Sequence, residues 1–106
     1  MISSDRLQQA LTYLATTDES CAKAKAYLMG LEELTKSVKA ERFLIAIGTN
    51  GERDAVAYAS ANYREHIEKI GEATYSYEMV RNKRMTEALI VEVWRSENAN
   101  RRIGNI

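Results

Sequence analysis

The feature that most constrains this chain is the complete absence of proline from its 106 residues. Proline breaks helices and interrupts strands, and glycine, the other residue that forces breaks, occurs only five times. The strongest break is Gly48-Thr49-Asn50-Gly51, a segment typical of a helix end followed by a turn. We therefore expect a few long elements with one well-defined connection near the middle of the chain.

Composition excludes several classes of protein. Fifteen basic and fifteen acidic side chains give a net charge of zero, and a single cysteine cannot form an internal disulfide. The chain has no apolar run of about 18 residues, so we expect no transmembrane helix, and we expect no membrane partner. It does not begin with a basic segment followed by an apolar one, so we expect no secretory signal.

Capping signals divide the chain into four predicted helices. Thr16 and Glu19 have the spacing of a capping box, which predicts that a second helix begins there. Thr49 and Glu52 repeat this spacing after the turn, and Ser60 is a further N-cap residue. The predicted helices are 4–15, 19–47, 50–58 and 61–98, followed by a tail over 99–106.

Apolar residues recur in alternating steps of three and four along the two long predicted helices. This spacing is typical of antiparallel hairpins and coiled coils. In the last helix the seam drifts after Tyr77, which indicates a stutter or a change of packing partner. The predicted seam residues are Ala24, Leu28, Leu31, Val38 and Ile45 in the second helix, and Tyr63, Ile67, Ile70, Tyr77, Val80, Met85, Ala88 or Leu89, and Val93 in the last.

These patterns predict an all-α fold: a single domain over 1–106, an elongated helical hairpin or bundle with one long C-terminal helix. A helix of about 38 residues is about 57 Å long, whereas a compact domain of this size is about 30–35 Å across. Residues 43–47 are apolar on all sides, and residues 88–94 are apolar except for Glu92, so we expect a homo-oligomer, with a dimer favoured, to bury them. The predicted interface residues are Phe43, Leu44, Ile47, Leu89, Ile90, Val93 and Trp94.

Two alternative folds stay open. A kinked C-terminal helix that folds back on itself gives a monomeric bundle. The β-branched content of 43–47 and 88–94 also suits a small α+β fold that pairs the two runs as strands. We favour helix because the residues on either side of 88–94 continue without a turn signal.

Candidate catalytic or metal-binding residues are sparse. One histidine and one cysteine do not predict a zinc site, and we expect His66 to be an exposed helical residue. Glu65, Glu68 and Glu72 share a helix face but lack the Glu-x-x-His order of di-metal bundles. We therefore predict a non-enzymatic protein with no cofactor, no metal and no small-molecule substrate.

The basic C-terminal third is the best candidate for a binding site. Residues 80–106 hold six basic and three acidic side chains. Arginine and asparagine are common ligands of phosphates and base edges, which favours DNA as a partner. The alternative is that basic residues near a helix C-terminus complement the macrodipole without any ligand. The candidate nucleic-acid-binding residues are Arg81, Lys83, Arg84, Arg95, Asn98, Asn100, Arg101 and Arg102.

Three motifs over roughly residues 38–106 resemble a family of small bacteriophage and prophage proteins. Relatives often have proline after the serine of the second motif, where this chain has Ala61. The resemblance implies a setting rather than a reaction: early-region genes beside single-strand annealing and recombination proteins, in the cytoplasm of a bacterial host cell. It transfers no catalytic residue. The motifs are Thr49-x-x-Glu52-Arg53, Tyr58-Ala59-Ser60-x-x-Tyr63 and Glu92-Val93-Trp94-Arg95-Ser96-x-x-Ala99-Asn100-Arg101-Arg102-x-Gly104.

Two functional hypotheses follow. In the first, the protein is an accessory factor of phage DNA metabolism and recombination, an oligomeric helical scaffold that binds DNA or a recombination protein. In the second, it is a protein-binding module that engages or inhibits a host protein and has no contact with nucleic acid. Zero net charge and a large apolar interface fit the second hypothesis equally well.

Overall fold

Three α-helices make up nearly all of residues 1–104, the part of the chain that this computed structural model describes. Helix α1 spans Ser4–Ile45, α2 spans Asn50–Ala59 and α3 spans Ala61–Gly104. Within residues 1–104 no residue lies in a strand, so the α+β alternative is wrong. The predicted all-α fold with one long C-terminal helix is confirmed.

Helix α1 is continuous where the sequence predicts a break at residues 16–19. The hydroxyl of Thr16 donates to the Thr12 carbonyl at 2.8 Å, and that of Thr17 donates to the Tyr13 carbonyl at 2.6 Å. Both side chains therefore bond back to the preceding turn instead of capping a new helix. The predicted boundary between helices 4–15 and 19–47 is wrong for this reason.

The connection between α1 and α2 forms where the sequence predicts it. Gly48 has a φ of +125°, a backbone conformation that residues with a Cβ atom rarely adopt. Thr49 then caps α2, because its hydroxyl accepts a hydrogen bond from the backbone N–H of Glu52 at 3.2 Å. Ser60 separates α2 from α3 and caps α3 by accepting from the Tyr63 N–H at 3.2 Å.

Helix α3 extends further than predicted. It includes residues 99–104, which the sequence analysis assigns to a tail. These residues contain no proline, and glycine occurs only at the last of them, so no residue stops the helix earlier. Residues 105 and 106, the remainder of the predicted tail, lie outside the described part of the chain.

The chain divides into two compact units. Unit 1 combines Met1–Ala22, the start of α1, with Glu78–Ile106, which holds the end of α3. Unit 2 is Lys23–Tyr77 and contains the rest of α1, all of α2 and the start of α3. A single domain over 1–106 stays a prediction.

In each unit, most of the residues of α3 that are shielded from solvent recur in steps of three and four. The predicted drift after Tyr77 is therefore wrong: Met85 and Val93 are exposed, and Arg84 and Glu87 occupy the seam positions. Polar residues thus lie where apolar ones were expected, which is why the pattern of apolar residues alone misplaces the seam. The seam residues from Tyr63 onward are His66, Ile70, Ala73, Tyr77, Val80, Arg84, Glu87, Val91 and Trp94.

Burial is sparse in both units. The buried apolar residues are Ala10 in unit 1 and Leu28, Ala57 and Ala73 in unit 2. Among the residues described, no large side chain is fully buried, whereas many large apolar side chains are exposed. Each unit therefore has little apolar core of its own, and specific polar contacts contribute much of its packing.

Candidate interaction surface

Arg84 fixes α3 against α1 within unit 1. Its Nη1 donates to the Leu14 carbonyl and to Thr17 Oγ1, both at 2.7 Å. Its Nη2 donates to Asp18 Oδ1 at 2.6 Å. Three acceptors from α1 thus occupy the guanidinium, whose planar fork suits such multiple contacts. In this arrangement Arg84 is a packing residue, and three of its five N–H donors bond to α1.

Arg6 and Glu87 form a second polar contact between the same two helices. Nη2 of Arg6 donates to Oε1 of Glu87 at 2.8 Å, and Nη1 lies 2.7 Å from Oε2. The contact between Nη1 and Oε2 is an ion pair whose geometry is not that of a hydrogen bond. The buried Oε2 therefore has no hydrogen-bond donor in the described chain. The hydrogen bond from Arg6 lowers the pKa of Glu87, and the charges of Arg6 and Lys83 add to this effect against the opposing effect of burial.

Three of the seven other predicted nucleic-acid ligands also have partners within unit 1. Nη1 of Arg81 lies 3.4 Å from Glu78 Oε2, and Nη1 of Arg95 lies 3.0 Å from Glu92 Oε1. The Nζ atom of Lys83 lies 4.5 Å from the centre of the Tyr13 ring, a cation–π contact. Arg81 and Arg95 remain exposed, and such surface pairs contribute only about 0–1 kcal/mol.

The end of α3 carries the rest of the predicted set. Asn100, Arg101 and Arg102 are exposed, and Asn98 is half-buried. Nη2 of Arg101 lies 2.9 Å from Sδ of Met1. The structure thus leaves three consecutive polar or basic residues open to solvent in the last turns of the helix.

The seven predicted interface residues differ in their exposure. Ile47 and Leu89 are 94% and 63% exposed. Among the half-buried ones, Phe43 lies under the Arg53 guanidinium of its own unit, whose Cζ is 4.3 Å from the ring centre. The exposed members are Leu44, Ile47, Leu89 and Val93, and the half-buried members are Phe43, Ile90 and Trp94.

Unit 2 contains a polar and aromatic cluster in which α2 meets α1. The Nζ atom of Lys39 lies 3.0 Å from Asp54 Oδ1 and 3.8 Å from the centre of the Tyr58 ring. Hydrogen bonding to Tyr58 and then to Asp54 raises the pKa of Lys39. The Tyr58 ring meets Tyr63 edge to face, with ring centres 5.3 Å apart. These contacts hold α2 in place over the end of α1 and the start of α3.

His66 is buried, so the expectation of an exposed histidine is wrong. Its Nε2 lies 3.1 Å from the hydroxyl of Thr35 on α1. A buried imidazole needs such a partner because an unsatisfied polar group is costly in the interior. The histidine therefore has a packing role between α1 and α3 within unit 2.

The sequence pattern did not predict that Arg84 and Glu87 lie on the seam of α3 and pack against α1. The signal that identifies them is spacing: both continue the three-four alternation that runs from Tyr63 through Tyr77. A search for apolar residues alone passes over them. Charged residues at such positions specify the register and partner of a helix pair at some cost in stability.

No family model, no curated protein and no solved structure matches the chain. None of the helices described over residues 1–104 has a stretch long and apolar enough to cross a membrane. The same residues contain no group of three or more His, Cys, Asp or Glu side chains that could hold a metal ion.

Proposed function

We propose that this protein is a non-enzymatic accessory factor of phage DNA metabolism and recombination that acts as an oligomeric helical scaffold. The observation that carries the proposal is the exposure of large apolar side chains on continuous helices. In unit 2 these include Leu44, Ile45 and Ile47 at the end of α1 and beyond it, and in unit 1 Met85 and Leu89 on α3. Exposed apolar surface of this extent is typical of helices that pack against other chains.

The resemblance over residues 38–106 supports the phage setting. The exposed apolar side chains on the helices support the scaffold role. Direct contact with DNA is assigned to Asn100, Arg101 and Arg102, since the other arginines of the C-terminal third have carboxylate or carbonyl partners. An exposed arginine pair at the end of a helix can approach two neighbouring phosphates. The macrodipole also favours basic residues there.

Fluorescence anisotropy with labelled single- and double-stranded oligonucleotides, titrated at low and moderate salt, tests the DNA contact. Each phosphate contact contributes about 0.7 to the salt slope on single strands and about 0.9 on duplex. The variant Arg101→Ala/Arg102→Ala loses two such contacts. The slope of log affinity against log salt concentration should therefore fall by about 1.4 on single strands and about 1.8 on duplex, and binding should weaken.

The matched control is Lys25→Ala/Lys36→Ala, which removes two exposed positive charges from α1. We expect the control to bind as the parent does. Equal binding by the parent and the Arg101/Arg102 variant would remove the assignment of these residues. No binding by the parent at low salt would exclude direct DNA contact and leave a protein as the partner.

A second candidate function is a protein-binding module that engages or inhibits a host protein without touching nucleic acid. The observation that favours it is Ile47, which is 94% exposed beside the exposed Leu44 and Ile45. An apolar group of this kind suits a protein surface better than a phosphate backbone. Capture of one host protein in stoichiometric amount, insensitive to nuclease and lost in Leu44→Asp/Ile47→Asp, would support this function over the first.

A further inference from the structure

One face of α3 in unit 1 has a charge pattern that is complementary to itself. Its residues recur in steps of three and four, so they lie on one side of the helix. The face lies beside the seam and is open to solvent: Met85 is 57% exposed, and the side chains of both ion pairs are exposed. It is about 26 Å long at 1.5 Å per residue. Its residues, here called the lateral face, are Glu78, Arg81, Met85, Ala88, Glu92 and Arg95.

The centre of the lateral face is apolar and adjoins a groove. Met85 and Ala88 line this groove together with Leu14 and Cys21 of α1, and its volume is about 280 Å³. Glu78 and Arg81 lie on one side of this centre along the helix, and Glu92 and Arg95 lie on the other. An apolar centre with charged residues at both ends is the usual anatomy of a protein–protein interface.

The order of charges selects the partner. Consider a second copy of α3 that runs antiparallel, with a two-fold axis that crosses the helices midway between residues 86 and 87. Glu78 then faces Arg95 of the partner subunit, and Arg81 faces Glu92 of the partner subunit. Met85 faces Ala88 of the partner subunit. Every charge on the face meets an opposite charge, and the two apolar centres meet each other.

Other occupants fit this face less well. A parallel copy in register places each charge opposite the same charge, which is destabilising. A nucleic acid meets Glu78 and Glu92, whose carboxylates repel phosphates. The four charges sum to zero, so the face has no net attraction for a strongly acidic or basic partner. Along the helix the charges run acidic, basic, acidic, basic. In an antiparallel copy this order is reversed, so each acidic residue faces a basic one, and the pattern therefore specifies an antiparallel copy of the same sequence.

We propose that the lateral face of α3 is the homodimer interface of this protein, with two copies of α3 antiparallel about an axis between residues 86 and 87. This proposal rests on the self-association in the proposed function and names the site that mediates it. In the dimer the ion pairs Glu78–Arg81 and Glu92–Arg95 join into networks that bridge the two subunits. Met85 of each subunit packs on Ala88 of the other and covers the groove.

Charge reversal with complementation tests this interface. Arg81→Glu/Arg95→Glu makes the lateral face wholly acidic, and Glu78→Arg/Glu92→Arg makes it wholly basic. Light scattering over a concentration series should give the mass of two 12.0 kDa chains for the parent and of one chain for each variant alone. An equimolar mixture of the two variants should recover the two-chain mass, because every facing pair is again of opposite sign.

The matched control is Lys25→Glu/Lys36→Glu, which makes the same change in net charge on exposed residues of α1 and should stay dimeric. Far-UV circular dichroism checks that each variant keeps its helices. A dimeric Arg81→Glu/Arg95→Glu variant, or a mixture that does not recover the two-chain mass, would overturn this interface while self-association stands. A monomeric parent at every concentration would overturn both the interface and the proposed self-association.

Discussion

Arg6 and Glu87, which are 81 positions apart in the sequence, join α1 to α3 through a hydrogen bond of 2.8 Å and an ion contact of 2.7 Å. Arg6 lies near the start of α1, and Glu87 lies on the seam of α3. Glu87 is only 6% exposed, so its carboxylate depends on this one guanidinium for its principal partner. The pair fixes which parts of α1 and α3 meet within unit 1.

Removal of one member of this pair should destabilise the protein more than replacement of both. In Arg6→Met the carboxylate of Glu87 stays buried without its partner, whereas Arg6→Met/Glu87→Leu leaves an apolar contact. We expect the thermal midpoint of the single variant to lie below those of both the parent and the double variant. A double-mutant cycle followed by circular dichroism measures the coupling, and additive effects would show that the two side chains do not interact.

The loss of stability in acid should depend in part on the protonation of Glu87. Its pKa is lowered in the folded protein, so its contribution is present above the ordinary glutamate value of 4.5 and is lost as the pH falls through the folded pKa. Thermal unfolding between about pH 2 and pH 7 should therefore depend less steeply on acid in Glu87→Gln than in the parent. Glu33→Gln, at an exposed position of α1, serves as control, and an equally flattened profile there would contradict the assignment.

Replacement of Arg84 should lower stability rather than DNA affinity. Arg84→Met keeps an apolar stem but loses the bonds to Leu14, Thr17 and Asp18, and hydrogen bonds to charged groups contribute about 1.5–3 kcal/mol. We expect a loss of this order in the free energy of unfolding from urea titration, with unchanged oligonucleotide binding. Arg64→Met, at an exposed position of α3, should change stability by less than about 0.5 kcal/mol.

Leu28 is the largest apolar residue that the structure buries, so its truncation should be costly. Leu→Ala substitutions at buried positions lose about 2–5 kcal/mol, and we expect Leu28→Ala to fall in this range in chemical denaturation. The matched substitution Leu34→Ala removes the same atoms from an exposed position of the same helix. Equal losses in both variants would contradict the expectation that burial makes Leu28 costly to truncate.

Two glycines of this chain should respond oppositely to alanine. Gly48 has a φ of +125°, so Gly48→Ala forces an alanine into a strained conformation at a cost of about 1–2 kcal/mol. Gly30 lies inside α1 with open space where the methyl group of an alanine would stand, so Gly30→Ala should raise the free energy of unfolding by about 0.5–1 kcal/mol. Thermal and urea unfolding of both variants measure the difference, and a shift of the same sign in both would contradict it.

The helical character of the chain and its breaks were predictable from the sequence because they depend on local chemistry. No proline interrupts α1 or α3, the positive φ at Gly48 suits glycine, and the hydroxyls of Thr49 and Ser60 cap helices within three residues of themselves. Such contacts involve neighbours along the chain, so a sequence pattern is enough to place them. The all-α fold and the connection near residue 48 follow from these residues alone.

The tertiary structure decided which helix signals are used and which polar residues face inward. Thr16 and Glu19 have capping-box spacing, yet the hydroxyl of Thr16 donates to the Thr12 carbonyl. Arg84 of α3 donates to the hydroxyl of Thr17 in the same turn of α1. Glu87 and His66 are charged or polar residues that become buried only because Arg6 and Thr35 lie opposite them on α1. A partner many residues away supplies the compensating hydrogen bond, and local spacing carries no information about that partner. The sequence alone therefore determined that helices form and that they break near Gly48 and Ser60. Packing between the helices determined which side chains they enclose, and α1 continues through the break that the sequence predicts at residues 16–19.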